Sequence, residues 1–85
     1  MARYFFHLHD GKDYPDHTGV ELSDIDAAKK HAAAFVGELL KDSSEAIWSG
    51  EDWVLKVSRE DGLTLFCIHI VTIDSPAAPA PTVRT

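Results

Sequence analysis

Apolar and polar positions alternate from Arg3 to His9, where Tyr4, Phe6 and Leu8 fall on one side and Phe5, His7 and His9 on the other. The same period of two returns from Trp53 to Arg59, with Trp53, Leu55 and Val57 opposed to Val54, Lys56 and Ser58. It continues from Leu63 to Ile73. Between these stretches the period becomes helical, with Ala28, Ala32, Phe35, Val36 and Leu39 forming one stripe. Asp10-Gly11 and Asp61-Gly62 each interrupt a pair of strand-forming runs, and the first is expected to supply two positive-φ residues to a type I′ turn. The pattern predicts an α+β fold of order ββαββ. An antiparallel sheet of about four strands carries one helix packed on one face.

Finer signals place the ends of these elements. The strand returning from the first turn begins at Lys12 and is weak. Pro15 lacks an N–H and marks an edge strand or its end. Asp16-His17-Thr18-Gly19 reads as a second turn or bulge, and Val20-Glu21-Leu22 as a short extended piece leading into the helix. Ser23 or Asp24 is the expected cap, and Ser23 with Asp26 resembles a capping box. Gly37, costly inside a helix, implies a close contact or early fraying, with the helix ending near Lys41. Ile47 and Trp48 in the connector form an apolar pair suited to covering one end of the core. Residues 1–73 are expected to be a single domain. Residues 74–85, rich in Pro and Ala, are expected to be a flexible tail.

The final strand is apolar on both sides. Leu63, Leu65, Cys67, Val71 and Ile73 line one, and Phe66, Ile68 and Ile70 the other. One helix covers one face, so two-sided apolarity predicts a second cover, supplied by another copy of the chain. The expected interface is Phe5, Phe66, Ile68 and Ile70, in a homodimer.

Composition narrows the classes of partner. The 85 residues carry a formal net charge of −6, which disfavours phosphate backbones and argues against nucleic-acid binding. Lys29, Lys30 and His31 are a local cluster preceded by Asp24 and Asp26, which reads as a solvated helix face. No run approaches the roughly 20 apolar residues of a membrane span, so no membrane partner is expected. The opening residues lack the apolar core of a signal peptide. One cysteine, Cys67, excludes an intramolecular disulfide. A cytoplasmic protein is the expectation.

Arg3-Tyr4-Phe5-Phe6-His7-Leu8-His9-Asp10-Gly11, followed by Asp16, Gly19-Val20-Glu21-Leu22, Asp24 and Ala27-Ala28, resembles the opening of a family of short bacterial proteins. That family is known only as domain of unknown function 6894. Val57 with Asp61-Gly62 fits its closing strand and turn. The resemblance covers roughly residues 1–73 and implies no catalytic residue. Ala2 stands where the family often has Pro. A looser likeness is to the antitoxin-like fold of toxin–antitoxin modules, which also sets a compact helix on an antiparallel sheet.

Four residues have metal-ligand chemistry at strand spacing. His7 and His9 are two apart on one face, and so are Cys67 and His69. If the first and last strands are neighbours, the four converge on one metal. For catalysis, Cys67 lies on an apolar strand that disfavours its thiolate. The carboxylate pairs Asp13/Asp16, Asp24/Asp26 and Glu51/Asp52 read as turn and cap residues, and no Gly-rich phosphate loop is present. Trp48 and Trp53 read as core anchors, or else as a rim for a partner. The expected function is a non-catalytic protein-interaction or regulatory module without a cofactor, acting as a homodimer or on an unidentified protein partner. The alternatives are a metal-binding protein using His7, His9, Cys67 and His69, or a toxin–antitoxin-like component.

Overall fold

The alternating segments form strands and the 3.6-period segment forms a helix. In the computed structural model, described over residues 1–77, strand β1 is Ala2–His9, β2 is Asp13–Tyr14 and β3 is Val20–Leu22. Helix α1 is Ile25–Asp42, a short 3₁₀ turn covers Ala46–Trp48, and strands β4 (Trp53–Arg59) and β5 (Thr64–Ile70) complete the domain. The fold is α+β in the order expected. The sheet has five strands because the return from β1 is split into β2 and β3, which pair with opposite ends of β1 along the same edge. β1 then pairs with β4, and β4 with β5, all antiparallel.

The inner face is built by register. Phe6 lies beside Val57, which lies beside Phe66; Leu8 lies beside Leu55, which lies beside Ile68. The core comprises Tyr4 and Phe6 of β1, Leu55 and Val57 of β4, and Ala28 and Ala32 of α1. Both alanines have zero exposed surface. Their small side chains let the helix backbone approach the sheet, with Phe35 and Val36 filling in beside them. The helix packs over β3 and β4. It leaves β5 as the outer edge, so Phe66, Ile68 and Ile70 face inward yet are only half-buried.

Three sequence expectations are corrected here. Phe66, Ile68 and Ile70 do not belong to a second apolar face with Phe5. They lie on the helix side beside Val57, Leu55 and Trp53, whereas Phe5 lies on the opposite face beside Ser58. The Asp10-Gly11 turn is not type I′. Only Gly11 has positive φ, at 102°, and no non-glycine residue does among the described residues. The loop runs through Asp10, Gly11 and Lys12, with the Asp10 N–H donating to the Lys12 carbonyl at 3.1 Å. Gly37 marks neither a close contact nor fraying. A Cβ there would meet nothing within 4 Å, and the helix continues to Asp42.

Other local signals read correctly or resolve to one of two options. Asp24 is the cap, its Oδ1 accepting the Ala27 N–H at 2.8 Å. At the second hairpin the Gly62 N–H donates to the Arg59 carbonyl at 3.0 Å, with Gly62 at φ 84°. That is a tight turn with a left-handed glycine. Asp61 braces it, accepting from Arg59 at 2.7 Å and from the Leu63 N–H at 3.0 Å. The Arg59 hydrogen bond, then the Leu63 N–H, holds the Asp61 carboxyl below its ordinary range. A register shift after Val57 leaves Leu65 unopposed. Of the connector's apolar pair, Ile47 is buried and Trp48 is 62% exposed. Residues 74–77 lie outside any strand or helix and are exposed; the rest of the expected flexible tail, residues 78–85, falls outside the described residues.

Gly19 and Gly37 give opposite predictions for the same substitution. Gly19 has φ +74°, and a Cβ there would lie 2.8 Å from Arg3 Cγ, 2.9 Å from the Phe5 ring and 3.0 Å from the Tyr4 carbonyl oxygen. Gly19→Ala is expected to cost at least the roughly 1–3 kcal/mol of a left-handed non-glycine residue, with the clash in addition. Gly37→Ala is expected to stabilise by about 0.5–1 kcal/mol, as an open helix position allows. Chemical denaturation of both variants checks the signs.

Candidate functional site

The face of the sheet away from the helix carries most of the residues with chemistry. Across it run two rows: His9, Val54, His69 and, one step along, His7, Lys56, Cys67. The four expected metal ligands therefore do share a face. They do not converge, because β4 lies between β1 and β5. Two strand spacings, about 10 Å, separate His7 from Cys67 and His9 from His69, with Lys56 and Val54 filling the gap. Among the described residues no group of three or more His, Cys, Asp or Glu side chains is placed to hold a metal ion.

What His7 does instead follows from the break in the edge strand. Between β2 and β3 the chain leaves β1, and the Phe6 N–H loses a strand partner. Asp16 replaces it: Oδ2 accepts the Phe6 N–H at 3.2 Å, while Oδ1 accepts the N–H groups of Thr18 and Gly19 at 3.0 and 3.1 Å. Burial raises the Asp16 pKa, but these N–H donors from Gly19, Thr18 and Phe6 outweigh it and hold the carboxyl below its ordinary value of 3.8. The Asp16 N–H in turn donates to His7 Nδ1 at 3.0 Å, and His7 Nε2 lies 3.0 Å from Ser58 Oγ on β4. Ser58 is buried, and Phe5 stacks on the His7 ring at 6.4 Å between centroids. The imidazole thus straps the edge loop to β4 across β1.

This arrangement holds Ser, His and Asp close together yet has the wrong polarity for nucleophilic catalysis. A backbone N–H on Nδ1 requires a lone pair there, so the proton of the neutral ring sits on Nε2 and is donated to Ser58. A serine nucleophile needs the reverse, with Nε2 accepting and a carboxylate on Nδ1–H. Asp16 was read from sequence as a turn carboxylate; its load is larger, and Asp-x-x-Gly, the spacing of a side chain that folds back on its own turn, is the signal that marks it.

Beside the strap lies an open groove of about 750 Å³ lined by His7, His9, Asp13, Pro15, Val54 and Lys56. His9 Nδ1 is 2.7 Å from Asp13 Oδ1, an exposed pair that contributes little to stability. Leu8 and Tyr14 complete the groove's lining, which holds no serine or cysteine. At the other end of the face Arg3 binds the Thr18 carbonyl at 2.8 Å and Glu21 at 3.3 Å, clamping the loop a second time.

The family model described as Domain of unknown function (DUF6894) matches residues 3–72. The chain belongs to this family. No curated protein and no solved structure matches it. The DUF6894 match runs from Arg3 to Thr72, taking in the strap, the cap and all of β5. The residues that carry the family resemblance thus have structural work: Asp16 and His7 close the broken edge, Gly19 admits the turn against Phe5, and Asp24 caps α1.

Two measurements test the strap. The folded state ionises Asp16 more readily than the unfolded chain does. Its contribution is therefore complete above the unfolded value near 3.8 and is lost as pH falls below that through the folded value. Asp16→Asn is expected to cost about 1–3 kcal/mol at neutral pH and to flatten that part of the acid limb of stability. Second, imidazole ¹H–¹⁵N correlation spectra should show neutral His7 as the Nε2–H tautomer. An Nδ1–H tautomer would remove the hydrogen bond from Asp16.

Proposed function

We propose that the protein is a non-catalytic interaction module that works as a homodimer in the cytoplasm, joined through the free edge of β5. The contrast between the two edges of the sheet carries this reading. One edge is closed to pairing: β2 and β3 are two and three residues long, Pro15 interrupts them, and Asp16 occupies the Phe6 N–H. Short strands, proline and a bulged loop are the devices by which proteins stop sheets from extending. The other edge has neither a proline nor a short strand, and its irregularity is confined to the register shift at Leu65 near its start. β5 is seven residues of Thr-Leu-Phe-Cys-Ile-His-Ile, with no proline and no Asp, Glu, Lys or Arg.

Such a strand presents a row of backbone donors and acceptors to any second strand. A second copy fits best. An antiparallel strand paired with itself has two-fold symmetry and needs no other protein. Each chain carries net charge −6, yet β5 is uncharged, so two copies meet there without like charges within the strand. Pairing would also cover Phe66, Ile68 and Ile70, which the helix leaves half-buried. A cytoplasmic setting suits the single free thiol of Cys67. The absence of catalysis is supported by the donor polarity of His7 and by Lys56 standing between His7 and Cys67. No helix among the described residues is long and apolar enough to cross a membrane.

Cys67 is exposed, so a charge there burdens the edge and not the core. Light scattering is expected to find a dimer for the full chain. Cys67→Lys is expected to be a monomer with the circular dichroism of the folded protein. A wild-type monomer sinks the reading, and an undisturbed Cys67→Lys dimer moves the interface away from β5.

A further inference from the structure

Pairing β5 with its own copy decides which side chains meet, and the strand's sequence selects a register. Centred on Cys67, the pairing sets Thr64 against the partner's Ile70 and Leu65 against the partner's His69, mixing polar with apolar. Centred on Ile68, it sets Phe66 against the partner's Ile70 and Ile68 against the partner's Ile68. On the inward face Phe66, Ile68 and Ile70 then meet only one another, the arrangement that cross-strand pairs favour. In the same register Cys67 faces the partner's His69, and His69 faces the partner's Cys67.

We infer that Cys67 and His69 from two copies form a four-ligand zinc site on the two-fold axis of the dimer. The inference rests on the homodimer reading of β5. Both residues are exposed and lie on the face away from the helix, in line with Lys56 and Val54. Within one strand their Cα atoms are about 7 Å apart. Across an antiparallel pair the separation is about 4.5–5.5 Å. The four Cα atoms thus frame a small rectangle, within which two sulfurs at about 2.3 Å and two imidazole nitrogens at about 2.0–2.1 Å reach a common centre. A two-sulfur, two-nitrogen set is tetrahedral zinc chemistry. The two thiolates neutralise the dication, and binding releases the two thiol protons. One chain supplies only half of the set, in keeping with the lack of any three-ligand group among its described residues. His7 and His9 are not part of it, cut off by β4 and engaged with Asp16, Ser58 and Asp13.

The test uses the full chain purified without chelator or affinity tag, titrated with zinc chloride and followed by native mass spectrometry. One zinc per dimer is expected, with dimer affinity raised at least about tenfold by preferential binding to the paired state. Cobalt substituted for zinc should show a thiolate-to-metal charge-transfer band. Cys67→Ser and His69→Ala should each remain dimeric without metal and should lose both the zinc and the cobalt band. A wild-type dimer that takes up no zinc overturns the site and leaves the homodimer reading standing. A chain that is monomeric with and without zinc overturns both. Zinc retained by Cys67→Ser also overturns the site.

Discussion

A single helix about 10 Å across has to cover a sheet whose strands lie about 4.8 Å apart, and it covers roughly two of them. Everything else follows from where that cover stops. Ala28 and Ala32 bring α1 down onto Tyr4, Phe6, Leu55 and Val57, and at β5 the cover has run out. The inward side chains of β5 are therefore half-buried although they point to the core side, and among the described residues no helix lies over the opposite face. In a chain of this size the core is small and each of its members counts heavily.

The broken edge is the second constraint. Splitting the return strand blocks pairing on that side but orphans a backbone donor, the Phe6 N–H. A side-chain carboxylate restores the missing acceptor and folds its own turn with its other oxygen. The cost of burying Asp16 is offset by the number of N–H groups it satisfies. His7 is recruited from the same side to fix the loop, through its hydrogen bonds to Asp16 and Ser58. His7 and His9 are thus engaged with Asp16, Ser58 and Asp13, whereas Cys67 and His69 are exposed on the outer strand.

The parts of this fold that were legible in the sequence are those set by local period and local caps. Alternation located β1, β4 and β5, and the Ala28–Ala32–Phe35–Val36–Leu39 stripe located the helix and its buried side. Pro15 announced the break in the edge. The misreadings have physical causes. Asp10-Gly11 has the residue types of a two-residue turn, but the loop takes in Lys12 and leaves Asp10 at negative φ. Asp16 looked like any turn carboxylate, because its hydrogen bond to Phe6 crosses ten residues of chain. Of the candidate metal ligands, their common face was legible from parity, and their separation was not.

The sequence by itself determined which residues form strands, which face of each strand they occupy and where the helix begins, since these depend on neighbours within a few positions. Only the tertiary structure decided that β4 lies between β1 and β5. Strand order depends on pairing between distant segments, and the alternation of β5 suits a place beside β1 as well as one beside β4. That one choice parts His7 and His9 from Cys67 and His69 and makes β5 the last strand of the sheet, and its register with β4 turns Phe66, Ile68 and Ile70 toward the helix.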